Sequence, residues 1–68
     1  MGILEFQVCQ QGMGARWIVR LGNATYGAYL DKEEALLDAV EAARDARLRG
    51  REAQVWLREQ AAAAARIL

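Results

Sequence analysis

The sequence predicts an α+β domain of order β-β-(β)-α-β, in which one long helix packs on one face of a three- to four-stranded antiparallel sheet. Three observations predict this fold. Apolar and polar residues alternate in three separate segments, a glycine-containing turn lies between the first two, and a capped helical pattern precedes the third. The chain has 68 residues, enough for one domain. Residues 1–59 hold the whole pattern, and residues 60–68 form an alanine-rich tail.

The first two strands are predicted at residues 4–10 and 15–21, where alternate residues are apolar. Between them lies "QQGMGARW", residues 10–17, which contains two glycines and an arginine as phosphate-binding loops do. Such a loop leads from a strand into a helix N-terminus, whereas here a second strand follows. Trp17 also occupies the place of the third glycine of the G-x-G-x-x-G motif. The segment is therefore predicted to be a hairpin turn.

A long helix is predicted from Lys32 to about Arg49. Asp31 and Glu34 have the spacing of a capping box at its start, and Gly50 follows its end, where a left-handed residue commonly terminates helices. Its apolar stripe is narrow and mostly alanine, which favours close packing on a sheet. The stripe consists of Leu36, Ala39, Val40, Ala43 and Ala46.

The remaining segments are predicted to be extended, apart from the tail. Residues 24–30 fit a short third strand or an irregular edge, and residues 52–58 alternate as a last strand. The tail has high helix propensity but is shorter than the roughly 12–15 residues that an isolated helix needs. We expect it to be frayed, or to form a short C-terminal helix if Ile67 and Leu68 dock it on a sheet.

Several motifs occur together in this order: a Trp-bearing second strand, an aromatic-x-[TSD]-K-E-E-A helix start, an alanine-rich helix and a closing strand. This combination resembles a family of small, uncharacterised bacterial proteins classed only as a domain of unknown function. The matching positions are Trp17, Tyr29, Asp31, Lys32, Glu33, Glu34, Ala35 and Ala39. The resemblance covers residues 6–58 and implies a β-β-α-β fold but no activity. The chain departs from the family after the last strand, where many relatives have a second glycine turn.

The residue types that catalysis needs are scarce. The chain has no histidine, and therefore no imidazole base or ligand. Its single cysteine, Cys9, cannot form an internal disulfide and lies in a predicted strand without a histidine partner. The carboxylates at the start of the helix are typical of a solvated face rather than a metal site. We therefore expect a non-enzymatic protein without a metal, a cofactor or a small-molecule substrate.

The net charge and the first residues of the sequence bear on the partners and the cellular location of the protein. Nine basic residues balance nine acidic ones, which argues against a protein dedicated to nucleic acid. The start "MGILEFQV" contains neither the basic segment of a signal peptide nor an apolar run long enough to span a membrane. The sequence therefore predicts a cytoplasmic protein with no membrane partner.

One helix can cover only one face of the sheet, so the other face is the candidate interaction surface. Alternation assigns eight residues to it: Gln7, Cys9, Arg16, Ile18, Arg20, Gln54, Trp56 and Arg58. An indole and an isoleucine among three arginines are unusual for a surface that meets only water.

Three interpretations compete for this face. In the favoured one it is a homodimer interface anchored by Trp56 and the arginines, which makes the protein a small self-associating interaction module. In the second, single-stranded nucleic acid stacks a base on Trp56 while the three arginines meet phosphates. The balanced charge and the nearby Glu5 weaken that interpretation. In the third, the tail folds over the face and completes the core.

Overall fold

The computed structural model describes residues 2–12, 16–59 and 63–68 of the chain, and within them it contains a single sheet and a single helix. The elements are β1 (Leu4–Gln11), β2 (Arg16–Leu21), β3 (Ala24–Tyr29), α1 (Lys32–Leu48), β4 (Ala53–Arg58) and β5 (Ala65–Arg66). The strands lie in the order β3-β2-β1-β4-β5. The predicted α+β class is confirmed, and the third extended segment is a true strand.

The sheet is mixed, so the prediction of a purely antiparallel sheet is wrong at one pair. β1 pairs with β2 and β2 with β3 in antiparallel fashion, whereas β4 runs parallel to β1. Two hairpins return β3 to the direction of β1, and α1 carries the chain back before β4 enters. A parallel neighbour requires a crossover connection of this kind, and the helix supplies it.

The glycine segment at residues 10–17 joins two strands, as predicted. Residues 13–15 lie outside the described part of the chain, but Gln11 and Arg16 form the last pair between β1 and β2. Gly12 follows β1 with a φ of 64°, a left-handed conformation that glycine adopts without steric cost.

The core lies between α1 and the sheet. On the face of α1 that meets the sheet, three alanines spaced four residues apart are fully buried: Ala35, Ala39 and Ala43. Because alanine side chains are short, the helix approaches the strands closely along this line. The strands contribute the larger buried side chains: Phe6, Val8, Trp17, Val19 and Val55, with Leu4, Leu21 and Leu57 half-buried beside them. These strand residues are the ones that the alternation predicts beneath the helix.

Both ends of α1 are capped by local hydrogen bonds. The Asp31 side chain accepts from the backbone N–H of Glu33 at 3.2 Å, one position earlier than the predicted capping box. At the other end Gly50 has a φ of 86°, and its N–H donates to the carbonyl of Arg47. The N–H of Arg51 donates to the carbonyl of Ala46 at 2.9 Å. These two bonds form a Schellman motif, so the predicted termination at Gly50 is confirmed.

The described part of the tail is a strand, so the prediction of a docked C-terminal helix is wrong there. Residues 60–62 lie outside the described residues, and residues 63–68 run antiparallel beside β4. The N–H of Ile67 donates to the carbonyl of Val55 at 2.8 Å, and Leu68 packs against the core. The reason is the edge of β4, whose backbone groups need partners that a short alanine helix would not supply. The tail thus extends the sheet instead of covering the face opposite α1.

Candidate interaction face

Strand pairing places all eight predicted residues on the sheet face opposite α1. We call this surface the open face, because no described element lies over it; it consists of Gln7, Cys9, Arg16, Ile18, Arg20, Gln54, Trp56 and Arg58. Paired residues of neighbouring strands form two rows across it, one of Arg20, Gln7 and Trp56 and one of Ile18, Cys9 and Arg58. The alternation therefore brings together residues that are far apart in the sequence.

The centre of the open face is uncharged. Ile18 is only 9% exposed although no helix covers it. Its partners in the adjacent strands are Cys9 and Ala28, both small, and the thiol of Cys9 is free and half-buried. A short apolar stripe therefore crosses the middle of a surface whose margins are polar.

Trp56 lies beside this stripe and is half-buried. Its indole N–H donates to the side-chain oxygen of Gln54 at 3.0 Å, which satisfies the only polar atom of the ring. Beside it is a groove of about 170 Å³ whose lining also includes Glu5 and Arg58. Sites for small molecules usually enclose roughly 300–1,000 Å³. The face therefore suits a flat contact better than the capture of a small ligand.

The arginines at the margin have no ion-pair partner among the described residues. The two ion pairs in that part of the chain lie elsewhere: Lys32 with Glu59 at 3.0 Å, and Arg49 with Asp45 at 3.2 Å. The acidic first half of α1 lies on the opposite side of the sheet. Charge is therefore unevenly distributed: the open face carries three arginines against the single carboxylate of Glu5, whereas Glu33, Glu34 and Asp38 lie on the first half of α1.

Sequence reasoning missed residues of this surface on the two edge strands, Ala28 beside Ile18 and Arg66 beside Trp56, and the more consequential of them is Arg66. It pairs with Trp56 from β5 and adds a fourth arginine, and its Nε donates to the carbonyl of Leu68 at 3.1 Å. The sequence predicts a tail that is frayed or, if docked, helical, and neither state assigns Arg66 to a face of the sheet. The only signal that could have revealed it is the end of the alanine run at Ala65, where a strand can begin.

Tyr29 carries a perturbed ionisation on the helix side of β3. Burial, together with a hydrogen bond to Asp38 and the charges of Asp38 and Tyr26, raises the pKa of its phenol to about 12. The ring lies over Gly27, where a Cβ would be 2.9 Å from the ring carbon Cζ and would overlap the hydroxyl. Gly27 therefore lets Tyr29 reach the helix and tie β3 to α1.

This arrangement predicts a late tyrosine titration. In a Tyr26→Phe variant, phenolate absorbance should report a Tyr29 midpoint that is still raised above the ordinary value but lower than the pKa of about 12 in the wild type, because the charge of Tyr26 is the smallest of its causes. Asp38→Asn should lower that midpoint, because it removes the acceptor charge. Since the pKa is raised by folding, the neutral phenol stabilises the protein fully below the unfolded value of about 10, and this stabilisation is lost as the pH rises through 12. A midpoint of about 10 in the folded protein would contradict this account.

Comparisons with known proteins add no identity. No family model matches this sequence, and no curated protein or solved structure matches it either. The resemblance to the small bacterial family of unknown function therefore stays a prediction. In the described residues, no three His, Cys, Asp or Glu side chains gather where they could hold a metal ion. The one helix in the described residues, α1, lacks the length and apolar character needed to cross a membrane.

Proposed function

We propose that this chain is a small, non-enzymatic interaction module that forms a homodimer through its open face. One observation carries the proposal: an uncharged centre at Ile18 and Cys9 lies next to Trp56 inside a margin of exposed arginines. Protein interfaces commonly have an apolar centre and a polar rim, and tryptophan and arginine are the residues most enriched at their energetic anchors. A second copy would remove the half-exposed ring of Trp56 from water.

The size of the open face supports a weak, reversible dimer. Five strands about 4.8 Å apart and six residues of about 3.3 Å each cover roughly 20 × 20 Å, or about 400 Å² per partner. Stable interfaces bury about 800 Å² per partner, so this contact is about half the standard size and falls among weak, transient encounters. We therefore expect dissociation constants in the micromolar range or weaker.

The arginines give the dimer a diagnostic salt dependence. In a two-fold contact the same surface meets itself, so both faces carry the same net positive charge, from three unpaired arginines against Glu5. Salt screens this repulsion, and we expect self-association to strengthen as ionic strength rises.

The test is the solution mass of Trp56→Glu, measured by sedimentation equilibrium across a wide concentration range. The substitution removes the aromatic anchor and places a carboxylate next to the apolar centre of the contact, so the dissociation constant should rise about tenfold or more. The matched control is Leu48→Glu, which changes a side chain that is 87% exposed at the far end of α1. The proposal fails if Trp56→Glu and wild type associate equally well.

Single-stranded nucleic acid is the second candidate partner, favoured by the position of Arg66. Trp56 lies in one row with Arg66 in the next strand and Arg20 two strands away, which places cations on both sides of a stacking surface. Adding a short single-stranded oligonucleotide during the same experiments distinguishes the candidates. Nucleic acid should quench tryptophan fluorescence and be released by salt, opposite to the dimer. Absence of quenching at low salt would eliminate this candidate.

We place the protein in the cytoplasm. Cys9 is a free, half-buried thiol at the centre of the open face. Cytoplasmic reductants keep such thiols free, whereas oxidising compartments favour their pairing between chains. A reducing environment would therefore preserve the apolar centre on which the proposed contact depends.

A further inference from the structure

The two edges of the sheet differ in how their backbone groups are satisfied. On one side, β5 pairs with β4. Near the start of β4, Arg47 donates from Nε and Nη2 to the carbonyl of Ala53 at 3.0 and 2.8 Å. A short strand and an arginine side chain thus close this edge.

The opposite edge, β3, is interrupted only by a register shift of the kind that a β-bulge produces. β3 pairs with β2 alone, so alternate N–H and C=O groups along its outer side meet no neighbouring strand. Its six residues, "ATYGAY", include no charged residue and no proline, the usual means of keeping an edge strand from pairing. The one irregularity is a register shift opposite Val19 and Arg20, so the segment from Gly27 to Tyr29 keeps regular pairing.

Exposed apolar side chains flank the same edge. Tyr26 is 51%, Leu30 79% and Leu37 57% exposed, and these are half of the six large exposed hydrophobic residues found in the described chain. Leu37 reaches this edge from α1, because it lines a groove of about 310 Å³ together with Tyr29. An unpaired strand bordered by apolar side chains is a surface prone to association.

We propose that β3 pairs antiparallel with β3 of a second copy, which joins the two sheets across a two-fold axis. The occupant is a second copy because an antiparallel pair of identical strands is closed and self-complementary. The strand itself is uncharged, so pairing two copies of it brings no like charges together within the strands. The carboxylates Glu34 and Asp38 line the groove beside Leu37. Each copy therefore brings negative charge to this contact, and salt should strengthen it as well.

This inference goes beyond the proposed function, because it concerns a different surface. The open face and the β3 edge can each associate with a second copy independently. A chain that uses both would assemble beyond the dimer at high concentration, with open-face dimers linked edge to edge.

The experiment uses the full chain with the open face already disabled by Trp56→Glu. In that background, sedimentation should detect residual self-association that Leu37→Glu weakens about tenfold, a loss of roughly 1.4 kcal/mol. Leu48→Glu serves as the control on the same helix and should have no effect. A Trp56→Glu protein that stays monomeric up to millimolar concentration would overturn the inference and leave the proposed function intact.

Amide hydrogen exchange of the wild-type chain tests the β3 contact without any substitution that could itself alter the fold. The outward-facing amides of residues 24–29 should become more protected as concentration rises, whereas the amides of residues 65–68 should not. If the β3 amides exchange at the same rate at every concentration, the edge does not pair. If they gain protection while Trp56→Glu leaves the mass unchanged, the edge contact stands and the open-face proposal falls.

Discussion

A Trp17→Ala variant is expected to lose a large share of the free energy of unfolding of this domain. Trp17 is 7% exposed and lies between the sheet and α1, with the ammonium of Lys32 at 6.0 Å from its ring centre. Truncating a buried tryptophan to alanine typically costs about 3–5 kcal/mol, through lost apolar burial and the cavity left behind. A domain of this length has a total stability of only about 3–10 kcal/mol. One substitution can therefore remove most of the free energy of unfolding.

The second tryptophan provides the matched control for this experiment. Trp56 carries the same side chain on the opposite face of the sheet, where it is half-buried and covered by no described element. Trp56→Ala should leave a cooperative unfolding transition and change the unfolding free energy by about 1 kcal/mol. Far-UV circular dichroism with urea titration measures both variants. Similar losses for the two would mean that α1 does not define the buried face.

The elements that could be predicted are those whose signals are local. The period-two alternation identified β1, β2 and β4, because a half-buried strand places every second residue on the core side. Asp31 and Gly50 delimited the helix, since both caps act on backbone groups within a few residues. The same alternation assigned the eight residues of the open face. This assignment requires only that one helix covers the other face of the sheet.

The errors concern pairings between distant segments. Residues 53–58 contain no signal for a parallel or an antiparallel pairing with β1, because the direction of β4 depends on the path of α1 across the sheet. The prediction for the tail is wrong for a related reason. Alanine favours a helix locally, but the unpaired backbone groups at the edge of β4 form hydrogen bonds with an extended chain. Arg66 and Ala28 were missed as parts of the open face because they lie on the two edge strands, whose pairing the pattern does not reveal.

An Ala39→Leu variant should lose stability for the opposite reason to Trp17→Ala, because it adds atoms where none fit. Ala39 is fully buried at the middle of the alanine line along which α1 approaches the sheet. Three added heavy atoms must push the helix outward or force neighbouring side chains from their rotamers, at a cost of typically 1–3 kcal/mol. For a domain of this size each kilocalorie lowers the melting temperature by about 4–8 °C, so a fall of roughly 4–24 °C is expected.

The control for this variant is Glu41→Leu, which places the same side chain on an exposed position of the same helix. Because leucine and glutamate have similar helix propensities, this change should alter the unfolding free energy by no more than about 0.5 kcal/mol. Thermal unfolding followed by circular dichroism compares the two. If Ala39→Leu melts with the wild type, the gap between helix and sheet has room for a larger residue. The line of alanines would then reflect helix propensity alone, whereas a selective loss at Ala39 would establish that short side chains set the distance between α1 and the strands beneath it.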